Sequence, residues 1–158
     1  EGDAVLVTGS GLSETRDGGY ARYARLESKW VVALPAGLSL RESMILGTAG
    51  FTAALALLRM SENRQQPALG PLAVTGATGG VGSLAIAIFR KAGFEVHAVS
   101  GKPEQADYLR ALGASQVLDR DALSTTAPMA SARFGGGLDN VGGPMLASLL
   151  AQTSPYGN

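Results

Sequence analysis

The stretch VTGATGGVGS, residues 74–83, holds four glycines in ten residues and stands between two apolar runs. Glycine loses more conformational freedom on ordering than any other residue. Concentrating it here implies that something must come close to the backbone. PLAV before it reads as a short apolar strand. GGVGSLAIAIFRKAG after it reads as a helix closed by Gly93, so the glycines form a strand-to-helix turn inside a βαβ unit. Aligned on Gly-x-Gly-x-x-Gly, the turn has Ala77 at the first glycine position, then Thr78, Gly79, Gly80, Val81 and Gly82. Gly79 would let a pyrophosphate approach the backbone, and Gly82 would let the helix pack close to the strand. The N–H groups of the helix N-terminus would face the phosphates. In this strand-loop-helix context the pattern points to dinucleotide binding.

The rhythm around the turn supports a doubly wound sheet. EVHAVS reads as a strand, and PEQADYLRALG as a helix with Pro103 at its first position and Gly113 at its end. QVLD and GLDNVG read as two more strands, and PMLASLLAQ as a helix; residues 122–135 are ambiguous. Upstream, AVLVTG reads as a strand and YARYARLESKWVVALP as one or two more. SLRE is a capping box, with Ser39 as N-cap and Glu42 at N3, opening a helix to about Leu46. GTAGFTAALALLRMSE is apolar nearly all round and reads as a buried helix. The expected fold class is therefore α/β: a partial Rossmann domain with a parallel sheet, preceded by a β-rich front. The front is short for an independent β domain, and about four strands are few for a complete doubly wound sheet. The expectation is a fragment.

The end of the second Rossmann strand distinguishes the two nicotinamide dinucleotides. An NAD site usually has a carboxylate there for the ribose 2′-hydroxyl. EVHAVS instead runs into Ser100, Gly101 and Lys102. A hydroxyl, a glycine backbone and a lysine suit a 2′-phosphate, so NADPH is the expected cofactor, with a solvated turn lysine as the alternative for Lys102. Arg120, just after the third strand, lies at the same carboxyl edge of the sheet, with the alternative that it is a surface arginine between Asp119 and Asp121. Asn140 and Val141, at the tip of GLDNVG, are placed to approach the ribose or nicotinamide. Asp139 reads as a strand-end structural carboxylate and His97 as a packed histidine.

Composition narrows the remaining classes. Of 158 residues 46% are hydrophobic and 16% charged, enough apolar material for a core. Thirteen basic and thirteen acidic side chains cancel, so no overall basic field favours nucleic acid or an acidic membrane. No cysteine and a single histidine argue against disulfides and against a zinc site. ILGTAGFTAALALL is short for a bilayer span, and nothing resembles a signal peptide. A cytoplasmic protein acting on a small molecule, without nucleic-acid or membrane partners, is expected.

VTGATGGVGSLAIA, VSGK and YLRALGAS together resemble the zinc-free quinone-oxidoreductase branch of the medium-chain dehydrogenase/reductases. GTAGFTAALAL and GDAVLVTGSGLSETRDGGYARYAR narrow the resemblance to the NADPH-dependent acryloyl-CoA reductases, across essentially the whole chain. The resemblance implies that residues 1–36 end a GroES-like substrate domain and residues 37–158 begin an NADP-binding Rossmann domain. It implies that Thr78 to Val81 line the pyrophosphate, Ser100 to Lys102 hold the 2′-phosphate and Arg120 contacts the adenosine end. Thr52, on the GTAGFTA helix, would lie near the nicotinamide, with helix packing as its alternative. The implied reaction is hydride transfer to the β-carbon of acryloyl-CoA, giving propionyl-CoA. The resemblance assigns no catalytic residue here. Because the Rossmann sheet of that family often pairs across a dimer, a homodimer is also an expectation.

Three other readings remain open. One is an NADPH-dependent quinone or enone oxidoreductase, and another a non-catalytic NADPH-binding module. The loop also fits the Thr-Gly-x-x-x-Gly-x-Gly pattern of short-chain dehydrogenases, from Thr75 to Gly82. Those enzymes begin near the loop, whereas here more than seventy residues precede it.

Overall fold

The computed structural model describes residues 2–127 and 129–158. It forms two compact units, the first ending at Phe51 and the second beginning at Thr52.

In the first unit, β1 (Val5–Leu6) pairs antiparallel with β2 (Val32–Ala33), Val5 opposite Ala33 and Leu6 opposite Val32. The strand reading of residues 20–35 therefore holds only at its end. Residues 20–27 have no regular structure, and Ser28–Trp30 form a 3-10 turn. Strand conformation needs a partner edge, and β1 offers one only two residues long. Trp30 is instead covered by cations: Arg16 Cζ lies 4.5 Å and Lys29 Nζ 5.8 Å from its ring centroid.

Helix α1 (Leu40–Glu62) starts at the expected capping box. The Ser39 N–H donates to Glu42 Oε2 at 2.8 Å, and the Glu42 N–H donates to Ser39 Oγ at 3.2 Å. The helix breaks at Gly47 (φ 46°, ψ −152°), one residue beyond the expected end of its first segment. The expectation of a buried second segment needs correction. Ala53 and Met60 enter the core, but Phe51, Leu55 and Leu58 are exposed, Phe51 by 56%. The helix is apolar around most of its circumference, yet within the described residues only part of it meets a packing surface. By length and composition α1 is also apolar enough to cross a membrane, which the shorter apolar run in the sequence understates. Core helices share that property, and Ala53 and Met60 pack as core side chains do.

The second unit holds a four-stranded parallel sheet of β3 (Leu72–Val74), β4 (Val96–Val99), β5 (Gln116–Leu118) and β6 (Gly136–Leu138), in the order β5-β4-β3-β6. Register is set by Leu72 beside Val96 and Gly136, and by His97 beside Gln116. The helices are α2 (Gly80–Lys91), α3 (Ala106–Ala111) and α4 (Gly143–Ala151). Between Leu123 and Phe134 the described residues form no helix or strand, and Pro128 lies outside them.

Strand alternation sorts the core into two faces. Leu72, Val74, Val96 and Ala98 pack with Ala85, Ile86 and Phe89 of α2 and Leu109 of α3. Gly82, Ala85, Ile86 and Phe89 follow the i, i+3, i+4, i+7 stripe of an amphipathic helix. Ala73 and Val99 pack on the other side with Leu123, Phe134 and Leu149 of α4. His97 falls on this second side, edge-on to Phe134 with ring centroids 5.9 Å apart, and its Nε2 is 2.8 Å from Glu95 Oε1. It is the packed histidine the sequence led us to expect. Both helix ends close as Schellman motifs: Phe94 N–H donates to Phe89 O and Gly93 N–H to Arg90 O, with Ala114 to Leu109 and Gly113 to Arg110 repeating the pattern.

Candidate functional site

In an open α/β sheet, ligands bind beyond the carboxyl ends of the strands, where the strand order reverses. Here β3, β4 and β5 run outward to one edge, and the chain then crosses back to place β6 on the far side of β3. The reversal therefore lies between β3 and β6. At that edge a cleft is lined by Thr75, Gly76 and Thr78 after β3, by Val99, Ser100 and Gly101 at the end of β4, by Arg120 after β5, and by Val141 and Met145 after β6.

The glycine turn is built for close approach. Gly76 is left-handed (φ 57°), and its carbonyl accepts the Gly79 N–H at 2.9 Å. Gly79 is the N-cap of α2 in extended conformation and gives the helix no side-chain cap. The N–H groups of the first helical turn are therefore left for other acceptors. A β-carbon on Gly82 would press into the Gly76 carbonyl oxygen and lie 2.8 Å from Ala77 Cα. This is the close helix–strand contact read from the third glycine of the motif. Ala77, expected to bind the cofactor, is instead fully buried in the core, its N–H donates to Val99 O at 3.4 Å, and it does not line the cleft.

The tip of β4 is a compact turn. Ser100, 8% exposed, accepts the Lys102 N–H on its hydroxyl at 3.1 Å. Arg120 crosses this turn: a β-carbon on Gly101 would stand 2.5 Å from its Nε and 2.8 Å from its Cζ. The guanidinium thus lies against the glycine backbone beside the serine. Lys102 is exposed and does not line the cleft, although its backbone closes the turn.

Beyond β6, Asp139 Oδ1 accepts the Thr75 hydroxyl at 2.6 Å, and Oδ2 accepts the Gly142 N–H at 2.6 Å and the Val141 N–H at 3.3 Å. Asp139 has the structural role expected of it. Asn140 turns back, its Nδ2 donating to Thr75 O at 2.9 Å, whereas Val141 is 59% exposed and lines the cleft.

Thr78, Ser100, Gly101, Arg120 and Val141 are thus gathered around one cleft, with Gly79, Gly80, Val81 and Gly82 in the adjoining turn. Thr52, exposed on α1, does not line it. The sequence reading missed Thr75 and Met145. A threonine at the tip of the strand before the glycines, facing the GLDN tip across the sheet, was the available signal for Thr75.

A family model described as zinc-binding dehydrogenase matches residues 80–158, half of the chain. The chain belongs to the zinc-binding dehydrogenase family. Among the described residues no three His, Cys, Asp or Glu side chains gather to hold a metal. The chain is 48% identical over 153 residues to acrylyl-CoA reductase AcuI of Ruegeria pomeroyi, covering 96% of this chain and 46% of that one. It is 46% identical over 154 residues to putative quinone oxidoreductase YhfP of Bacillus subtilis, covering 96% and 47%. A solved structure of E. coli K-12 YhdH with bound NADPH superposes with TM-score 0.95 at 45% identity, over 99% of this chain and 48% of that one. Bacillus subtilis YhfP with NAD bound superposes equally well, with TM-score 0.95, 45% identity and the same coverage. The chain spans a little under half the length of these relatives. The α/β fold read from the sequence, a partial Rossmann sheet, is the observed one.

Proposed function

We propose that this dehydrogenase chain contributes the NADPH-holding part of a reductase that saturates an activated carbon–carbon double bond, with acryloyl-CoA as substrate and propionyl-CoA as product. The observation that carries the reading is Arg120 lying against Gly101 beside Ser100, at the strand tip where an NAD site would keep a carboxylate. Thr78, Gly79, Gly80, Val81 and Gly82 would take the pyrophosphate, with the uncapped first turn of α2 as donor. Ser100, Gly101, Lys102 and Arg120 would take the 2′-phosphate and adenosine end. Val141 would border the nicotinamide side, with Asn140 shaping the loop and Ala77 packed beneath the turn; Thr52 is a further candidate. The likeness to AcuI and to NADPH-bound YhdH supports both substrate and cofactor.

The NADPH those residues would hold would, when bound, supply a hydride for the β-carbon of the thioester. Charge then develops on the thioester oxygen and needs hydrogen-bond donors, and the α-carbon needs a proton. We assign neither role to a residue of this chain, whose work in this reading is binding and orientation. We read residues 1–36 as the end of a GroES-like domain and residues 37–158 as the NADP-binding domain. A homodimer in the cytoplasm, without nucleic-acid or membrane partners, completes the proposal. Quinone or enone reduction is a second reading, favoured by the likeness to YhfP.

Calorimetric titration of the 158-residue chain with NADPH and NADH at low salt tests the cofactor reading. NADPH should bind more tightly, and Arg120→Ala or Lys102→Ala should shrink the difference. Equal affinities would remove the NADP assignment; binding of neither would remove the nucleotide reading. Turnover of acryloyl-CoA against quinones, by a polypeptide of the relatives' length, separates the two substrate readings.

A further inference from the structure

The two walls of the cleft at the strand-order reversal are tied by one buried hydroxyl. Thr75 is fully buried at the tip of β3, and its backbone N–H donates to Leu138 O at 3.0 Å. Its Oγ1 donates to Asp139 Oδ1 at 2.6 Å and accepts the Asn140 N–H at 3.0 Å. Its carbonyl accepts Asn140 Nδ2 at 2.9 Å. The same Asp139 holds the Val141 and Gly142 N–H groups. Every hydrogen bond of this cluster joins the glycine turn after β3 to the loop after β6, or shapes that loop. The fit is close as well: a β-carbon on Gly76 would stand 3.1 Å from Asn140 Cβ and 3.5 Å from Val141 Cγ2.

We infer that Thr75 and Asp139 are positioning residues that set the separation between the pyrophosphate turn and the Val141 loop, and so fit the cleft to the nicotinamide half of a dinucleotide. The inference rests on the dinucleotide reading above. A plain strand-end staple would need only the backbone bond from Thr75 to Leu138. The side-chain cluster adds no strand pairing. It fixes Val141, which lines the cleft, relative to Gly76 and Thr78 on the opposite wall. The Ser100–Arg120 end lies outside the cluster, so binding there does not depend on it.

The test is calorimetry of the 158-residue chain with NADPH and with 2′,5′-ADP, which carries the 2′-phosphate end alone. Thr75→Val keeps the shape and removes the hydroxyl. It should weaken NADPH about tenfold, the size of one or two lost net hydrogen bonds, and leave 2′,5′-ADP unchanged. Thr75→Ser should restore NADPH affinity. Should Thr75→Val fail to fold by circular dichroism, Asp139→Asn, which keeps the shape but removes one carboxylate acceptor of the cluster, replaces it with the same expected split. Unchanged NADPH affinity in the variant would overturn the inference alone, as would equal losses for NADPH and 2′,5′-ADP. A wild-type chain that binds neither ligand would overturn the dinucleotide reading and the inference with it.

Discussion

Arg120 can lie across the tip of β4 because residue 101 has no side chain: a β-carbon there would stand 2.5 Å from Nε and 3.1 Å from Cδ of the arginine. The clashing atoms are the far end of a flexible side chain, so Gly101→Ala should displace Arg120 rather than disturb the sheet. NADPH affinity should fall about tenfold, as for one charge-assisted contact, with NADH affinity and stability little changed. In an Arg120→Ala background the same substitution should have no further effect. A calorimetric double-mutant cycle checks this, and additive losses would refute the contact.

Gly82 differs in that its neighbours are backbone. A β-carbon would meet the Gly76 carbonyl and Ala77 Cα, neither of which can swing aside. Gly82→Ala should destabilise the chain by about 1–3 kcal/mol, the usual cost of overpacking. It should also push α2 off the turn, so that nucleotide affinity falls even where the protein remains folded. Urea denaturation and calorimetry on the same sample separate the two effects.

Phe89, fully buried at the centre of the α2 stripe, anchors that helix to β3 and β4. Phe89→Ala should cost about 3–5 kcal/mol, read as a lower urea midpoint with the slope retained. A loss below about 1 kcal/mol would show that the second unit depends little on this packing.

Glu95 contributes one acid-side pH dependence. Its hydrogen bond from His97, with smaller help from the His97 charge and from Ser115, outweighs desolvation and holds its carboxyl below the ordinary glutamate value. A carboxyl lowered on folding stabilises the fold above its unfolded pKa, and this contribution is lost as pH falls through the lowered one. The window therefore lies below about pH 4.3. Carbon NMR titration should show the depressed midpoint, and His97→Phe should raise it; an unchanged midpoint would rule out His97 as the cause. Glu42 should behave alike, its carboxyl lowered by the Ser39 side chain and backbone.

Much of the second unit was legible because its signals are local. Gly93 and Gly113 close α2 and α3 through the backbone itself, and the Ser39–Glu42 capping box closes over four residues, whereas Pro103 opens a 3-10 turn, Pro103–Gln105, and the α-helix expected from it starts only at Ala106. The β-rich front was less legible. Aromatic and β-branched content in residues 20–27 states a preference for extended chain, but only a partner edge converts preference into strand, and no described edge meets them. The all-apolar second half of α1 misled in the same way: periodicity shows which side chains tolerate burial, while the packing surface decides which are buried.

The sequence by itself determined the strand-turn-helix, the parallel α/β class and the residue types at each strand tip, since these depend on neighbours within a few positions along the chain. Only the tertiary structure decided that Arg120 lies on Gly101, that Thr75 and Asp139 join two walls 64 positions apart, and that His97 faces Phe134. Those contacts depend on strand order and register, which bring distant segments together and which local propensity does not encode.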